Sequence, residues 1–168
     1  KPPPPPALDD PPLDLRRRTG RRFWYQTAFC LWTLARWTQR NLAPVIVDDG
    51  SLTPQNRAAL RTLFPATRFL SKAEAAARLQ AHLPAAKFPR LHDRWMHYPH
   101  IRKIIDPHIG SHGWKLVLDS DLLFFRRPQF LLDWLDSPAQ PLHAVAIATP
   151  YGYAPALLAP VPAAPLAG

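Results

Sequence analysis

The sequence predicts an α/β layer built on a mostly parallel sheet flanked by helices, and three observations predict it. Short apolar runs rich in β-branched residues end in acidic or glycine-containing turns, apolar residues recur at helical spacing between them, and capping residues mark one changeover. Over residues 23–40, Trp24, Ala28, Leu31 and Ala35 line one stripe while Gln26, Thr33, Arg36 and Arg40 take another, as in an amphipathic helix. Pro44-Val45-Ile46-Val47 then reads as a buried strand closed by Asp48-Asp49-Gly50-Ser51. Thr53 is placed to cap a helix running to about Leu63, with Pro54 in its first turn. Residues 66–70 suit a short strand and the alanine-rich residues 72–82 a helix. Residues 84–99 look irregular, and residues 101–105 look helical up to Asp106-Pro107. After a turn at Gly110 and Gly113, a strand is expected over residues 114–118, a helix over 128–135 and a last strand over 144–148.

The chain has 168 residues, 47% of them hydrophobic, which suffices for one domain with a real core. Of its 22 prolines, seven fall among the first twelve residues and four among the last fourteen. Residues 1–22 are therefore expected to be a Pro/Arg-rich disordered lead-in, 23–153 the α/β domain, and 154–168 a Pro/Ala-rich tail. The net charge of +9 suits any anionic ligand, but Arg16, Arg17, Arg18, Arg21 and Arg22 lie in the expected lead-in, leaving the domain mildly basic. Cys30 is the only cysteine, which excludes an internal disulfide and a cysteine-based zinc site. With no secretory pattern and no transmembrane segment visible, a cytoplasmic location is expected.

Two acidic turns fall at expected strand ends, where open parallel sheets gather ligands. Asp48-Asp49 closes one strand and Asp119-Ser120-Asp121 another. A bare Asp-x-Asp arises about once by chance in a chain of this composition, so context must carry the motif. Here Leu116-Val117-Leu118 precedes it and Leu122-Leu123-Phe124-Phe125 follows, so both carboxylates are expected in a buried apolar segment. Like charges about 4 Å apart repel by roughly 4 kcal/mol at an effective dielectric near 20, and a divalent cation on oxygen ligands relieves that conflict.

At these residues the chain resembles the GT-A-fold glycosyltransferases, which act on nucleotide-diphosphate sugars. Val47-Asp48-Asp49-Gly50-Ser51 looks like their nucleotide-binding turn, and Leu118-Asp119-Ser120-Asp121-Leu122 like their DXD motif. Lys103, sixteen residues before Asp119, resembles a basic residue directed at the diphosphate or donor sugar. The resemblance implies a Rossmann-like layer in which Asp48 or Asp49 meets the base or ribose, Asp119 the ribose or metal, Asp121 the metal and Lys103 the phosphates. It implies Mn2+ or Mg2+ as the cofactor, stabilising the leaving nucleoside diphosphate as a Lewis acid. The chain departs from the family after the DXD strand: the half that supplies acceptor site and catalytic base is almost absent, so the layer is expected to be incomplete, with acceptor and catalytic residues unassigned. The first nucleotide-binding strand is also poorly defined, with Leu13-Asp14-Leu15 its only candidate.

Other readings compete at each position. Asp119 and Asp121, or Asp48 to Ser51, can be ordinary turn residues, and Lys103 a solvated helix face. A zinc site from His92, His97, His100, His108 and His112 is disfavoured because Pro99, Pro107 and Gly110 interrupt the segment. A haloacid-dehalogenase-like phosphohydrolase also places Asp-x-Asp after an apolar strand, yet Leu123 stands where that family usually has threonine or valine, and no lysine follows Lys115. A basic nucleic-acid-binding protein built on residues 16–22 lacks any recognised module, so no nucleic-acid partner is expected.

Overall fold

The computed structural model describes residues 13–119, 121–139 and 141. The chain divides into two units, Lys1–Pro138 and Ala139–Gly168, and every helix and strand named below belongs to the first. The strand expected over residues 144–148, the tail over 154–168, the first twelve residues of the lead-in, and Ser120 lie outside the described residues.

Four parallel strands form one sheet in the order β3-β2-β1-β4: β1 (Leu13–Thr19), β2 (Leu42–Asp48), β3 (Arg68–Leu70) and β4 (Leu116–Val117). Helix α1 (Trp24–Thr38) joins β1 to β2, and α2 (Pro54–Leu63) joins β2 to β3. Three helices, α3 (Lys72–His82), α4 (Pro89–His97) and α5 (Pro99–Ile105), carry the chain from β3 past β1 to β4, and α6 (Gln129–Asp136) follows. The α/β class with a flanked parallel sheet is thus as the sequence predicts, and the order is compatible with a Rossmann-like layer. No helix among the described residues is long and apolar enough to cross a membrane.

Two cores lie on the sheet. Leu15, Ile46, Leu116, Leu131 and the buried stripe of α1 at Ala28, Leu31, Leu34 and Ala35 form one, with Leu60, Leu63 and Phe64 beside them. Val47, Leu70, Ala75, Leu79 and Trp95 form the other, backed by Ile101 and Ile105. Alternate residues of a strand face opposite sides, so β2 sends Ile46 into the first core and Val47 into the second.

Three local expectations change. Residues 13–19, read as part of a disordered lead-in, are the central strand β1, paired along its whole length with β2. Three consecutive arginines hide its pattern, because a buried guanidinium is tolerable only where tertiary partners meet it. Arg16 has them: its Nε and Nη2 donate to Asp14 at 3.2 and 3.1 Å and its Nη1 to the Pro107 carbonyl at 2.9 Å. Residues 84–99, read as irregular, contain α4, and α5 also begins earlier than expected, at Pro99. Pro89 and Pro99 open these helices rather than break them, since a first-turn proline gives up an N–H that has no helical partner. The strand expected over residues 114–118 shrinks to β4, paired only through Leu15–Leu116 and Arg16–Val117.

Helices α2 and α3 start at capping boxes. Thr53 and Asn56 exchange side-chain and backbone hydrogen bonds at one, Ser71 and Glu74 at the other. The Ser71 hydroxyl and backbone N–H hold the Glu74 carboxyl below its ordinary value of 4.5. A carboxyl depressed in the folded state contributes stability that is present above its unfolded value and is lost as pH falls through the folded one. Glu74→Gln is therefore expected to flatten the stability profile below about pH 4.5, and urea unfolding at about pH 5 and pH 3.5 measures it. Matching slopes for the two proteins would show that the cap carries no charge-dependent part.

Candidate functional site: the carboxyl edge around β1

The chain runs β1, β2, β3 in one direction across the sheet and then returns to place β4 on the other flank of β1. Between β1 and β4 lies the switch in strand order where open α/β sheets leave a crevice beyond the carboxyl ends. Three loops follow the strands at that edge: Gly20 after β1, Asp48 to Ser51 after β2, and the turn that carries Asp119 and Asp121 after β4. Because β2 and β4 flank β1, their strand ends are about 10 Å apart, two interstrand spacings.

The loop after β2 uses its acidic residues on itself. Asp48 is 1% exposed; its Oδ1 accepts from the backbone N–H groups of Gly50 and Leu52 at 2.8 and 3.2 Å, and its Oδ2 from Arg57 at 2.5 Å. It therefore organises the turn. Half-buried Asp49 accepts from the Ser51 N–H and hydroxyl at 2.9 and 2.5 Å through Oδ1, while its own N–H continues the ladder to the Thr19 carbonyl. The Asp49 carboxylate packs against Gly20, where a Cβ would come within 2.0 Å of Oδ2. Any side chain at position 20 would displace Asp49, which explains a glycine there without invoking its φ freedom. Gly50, by contrast, has φ 99°, a left-handed turn conformation that favours glycine.

Across β1, Lys103 and Asp119 meet. The Lys103 Nζ donates to both carboxylate oxygens of Asp119, at 2.8 and 3.0 Å. Asp119 stands two residues beyond the last β1–β4 pair, at the crevice, and its side chain is 52% exposed. The buried face of α5 aims Lys103 there. Arg102, adjacent in sequence, is buried against the Trp95 ring at 4.2 Å and donates from Nε to Asp106 at 3.3 Å. Asp106 also accepts from the Trp95 indole N–H at 2.6 Å. With Arg102 and Asp106 pinned beneath the helix, Lys103 is turned to the sheet edge.

Burial of the carboxylates, the reason given above for a cation, is not what the structure has. Asp119 and Asp121 are both exposed, and Asp119 is offset by Lys103. The flanking segment is exposed too, with Leu122, Leu123 and Phe125 open to solvent, Phe125 at 82%. The cause is the short β4: a two-residue strand pairs on one side and leaves the following turn outside the sheet. Among the described residues, no three His, Cys, Asp or Glu side chains gather to hold a metal, the five histidines of residues 92–112 included. The donors at this turn are Asp119 and Asp121. Two carboxylates suit a hard divalent ion that completes its shell with diphosphate oxygens and water.

Sequence reasoning missed the arginines of β1. Arg17 is 0% exposed on the α1 side of the sheet, where its Nη2 donates to the Asp119 carbonyl. Arg18 lies on the other side; burial, then neighbouring Arg102, lower its pKa, while Asp49 and Asp106 oppose the shift. Burial also pushes the Cys30 thiol up, partly countered by Arg17 beside it. The available signal was the alternation Leu13, Leu15, Arg17, Thr19, which reads as one strand face once arginine is admitted inside.

No known protein family, curated protein or solved structure gives a significant match to this chain.

Proposed function

We propose that the carboxyl edge of this sheet binds a nucleotide-diphosphate sugar, as the donor-binding part of a GT-A-type glycosyltransferase whose acceptor is unassigned. The observation that carries the reading is the meeting of Lys103 with Asp119 at the switch between β1 and β4, with the Asp48–Asp49 turn across β1. A cation and a carboxylate at an open strand end are the groups a metal-diphosphate needs: one for phosphoryl oxygens, one for the ion. The span of about 10 Å from one loop to the other accommodates a base and ribose at one end and a diphosphate at the other.

In this reading Lys103 takes the phosphates, Asp119 the ribose or metal, and Asp121 the metal. Of the acidic turn, Asp49 is the residue offered to base or ribose, because the oxygens of Asp48 already hold Gly50, Leu52 and Arg57. Bound Mn2+ or Mg2+ would supply Lewis-acid stabilisation of the departing diphosphate. Lys103 releases Asp119 in part as it turns to the phosphates, so the ion pair holds both side chains in place at the strand end. No residue is assigned as a catalytic base.

Calorimetric titration with UDP and GDP, with manganese and with EDTA, tests the reading. Manganese is expected to tighten binding at least about tenfold, roughly 1.4 kcal/mol, and Asp121→Asn to remove that increment. Asp121 is exposed, so its substitution should leave the melting temperature nearly unchanged. Identical titrations with manganese and EDTA would sink the proposal.

A further inference from the structure

Arg17 is the anomaly of the fold. Its guanidinium lies wholly inside the first core's side of the sheet, and no carboxylate among the described residues pairs with it. Its Nη2 has the Asp119 carbonyl and the Cys30 thiol lies beside the group, but among the described residues Nε and Nη1 are buried without a hydrogen-bond partner. The neighbouring strand residue Arg16 shows what a settled buried arginine looks like here, with Nε, Nη1 and Nη2 all engaged. A buried cation with idle donors is costly, and an apolar side chain of similar length would ordinarily fold at least as well. Retaining such a charge at a ligand-gathering strand end points to an anion that completes it. The cover is thin: Asp119, whose main chain lies on Arg17, is itself half exposed.

We propose that Arg17 is a phosphate-binding residue on the α1 side of the crevice, taking phosphoryl oxygens on the donors that the protein leaves idle. Lys103 reaches the same turn from α5 on the opposite side of the sheet, so Asp119 sits between two cations, one at its carboxylate and one at its carbonyl. A diphosphate entering there meets fixed positive charge before any metal arrives. The site consequently retains a metal-independent affinity for diphosphate, to which the ion adds. This rests on the nucleoside-diphosphate reading for the identity of the ligand, and on the idle donors of Arg17 for the existence of the subsite.

The test is calorimetric titration of the full chain with inorganic pyrophosphate in EDTA, for the wild type, Arg17→Met and Arg17→Lys, with a thermal melt of each. Expected are measurable binding by the wild type, a loss of tenfold or more in Arg17→Met and a smaller loss in Arg17→Lys. Arg17→Met is also expected to melt at or above the wild-type temperature, which a purely structural arginine would not allow. Absence of wild-type binding, or binding by Arg17→Met within twofold of wild type, overturns the proposal. Should Arg17→Met not fold, Arg17→Lys decides: an unaltered titration refutes, a weakened one supports. A wild type that binds pyrophosphate but shows no manganese increment for UDP would remove the transferase reading and leave this subsite standing; a manganese increment without pyrophosphate binding in EDTA would do the opposite.

Discussion

Asp106→Ala is expected to lower the free energy of unfolding by about 3–5 kcal/mol, enough to unfold most of a marginal domain. Asp106 is 3% exposed and is the carboxylate partner of Arg102, itself 6% exposed. Removing it strands a guanidinium that already has one buried donor, Nη2, without a partner among the described residues. It also leaves the Trp95 indole N–H unmet in the second core. Urea unfolding measures the loss. Asp106→Asn keeps an acceptor for Trp95 and should fall between the alanine variant and the wild type. A cost below about 1 kcal/mol for the alanine variant would mean that Arg102 finds another partner and that Asp106 does not anchor α5. The consequence for function follows from adjacency: freeing Arg102 frees the helix that holds Lys103 over Asp119, so nucleotide binding by any folded Asp106→Asn protein should weaken as well.

Asp48→Ala comes next in expected size, at about 2–4 kcal/mol. Its carboxylate is an acceptor for two backbone N–H groups of the turn, and hydrogen bonds to a charged acceptor contribute about 1.5–3 kcal/mol each. The ion pair with Arg57 adds less, because the Arg57 side chain is about a third exposed and solvent screens it. At about 2–4 °C per kcal/mol for a chain of this size, the melting temperature should drop by roughly 5–15 °C. Asp48→Asn should recover much of it by keeping an acceptor for Gly50 and Leu52. Equal melting of Asp48→Ala and wild type would show that the turn holds without its carboxylate and would return Asp48 to the set of residues free for a ligand.

Position by position, legibility followed the range of the interactions. Helices α2 and α3 were readable, α2 from the Thr53 cap with Pro54 in its first turn and α3 from its run of alanines, because both signals are local to the helix. The acidic turns were readable as strand ends because apolar runs stop at them, but the pairing of Lys103 with Asp119 was not, since it is made between a helix and a strand end. Strand β1 was readable only at its start, where Leu13-Asp14-Leu15 was the candidate first strand, and not through its arginines. What admits Arg16 and Arg17 to the interior are the carbonyls of Pro107 and Asp119, 91 and 102 residues away.

The amino-acid order was thus enough for the class of fold, the helices with local caps and the location of acidic turns at strand ends, since each depends on periodicity and neighbours in the chain. Folding in three dimensions settled the rest: which arginines are inside, which carboxylate builds a loop and which faces solvent, and that β4 stops too soon to bury the second acidic turn. Those outcomes depend on charges meeting across the sheet, and a buried charge is admissible or not according to its partner, which spacing along a chain does not reveal.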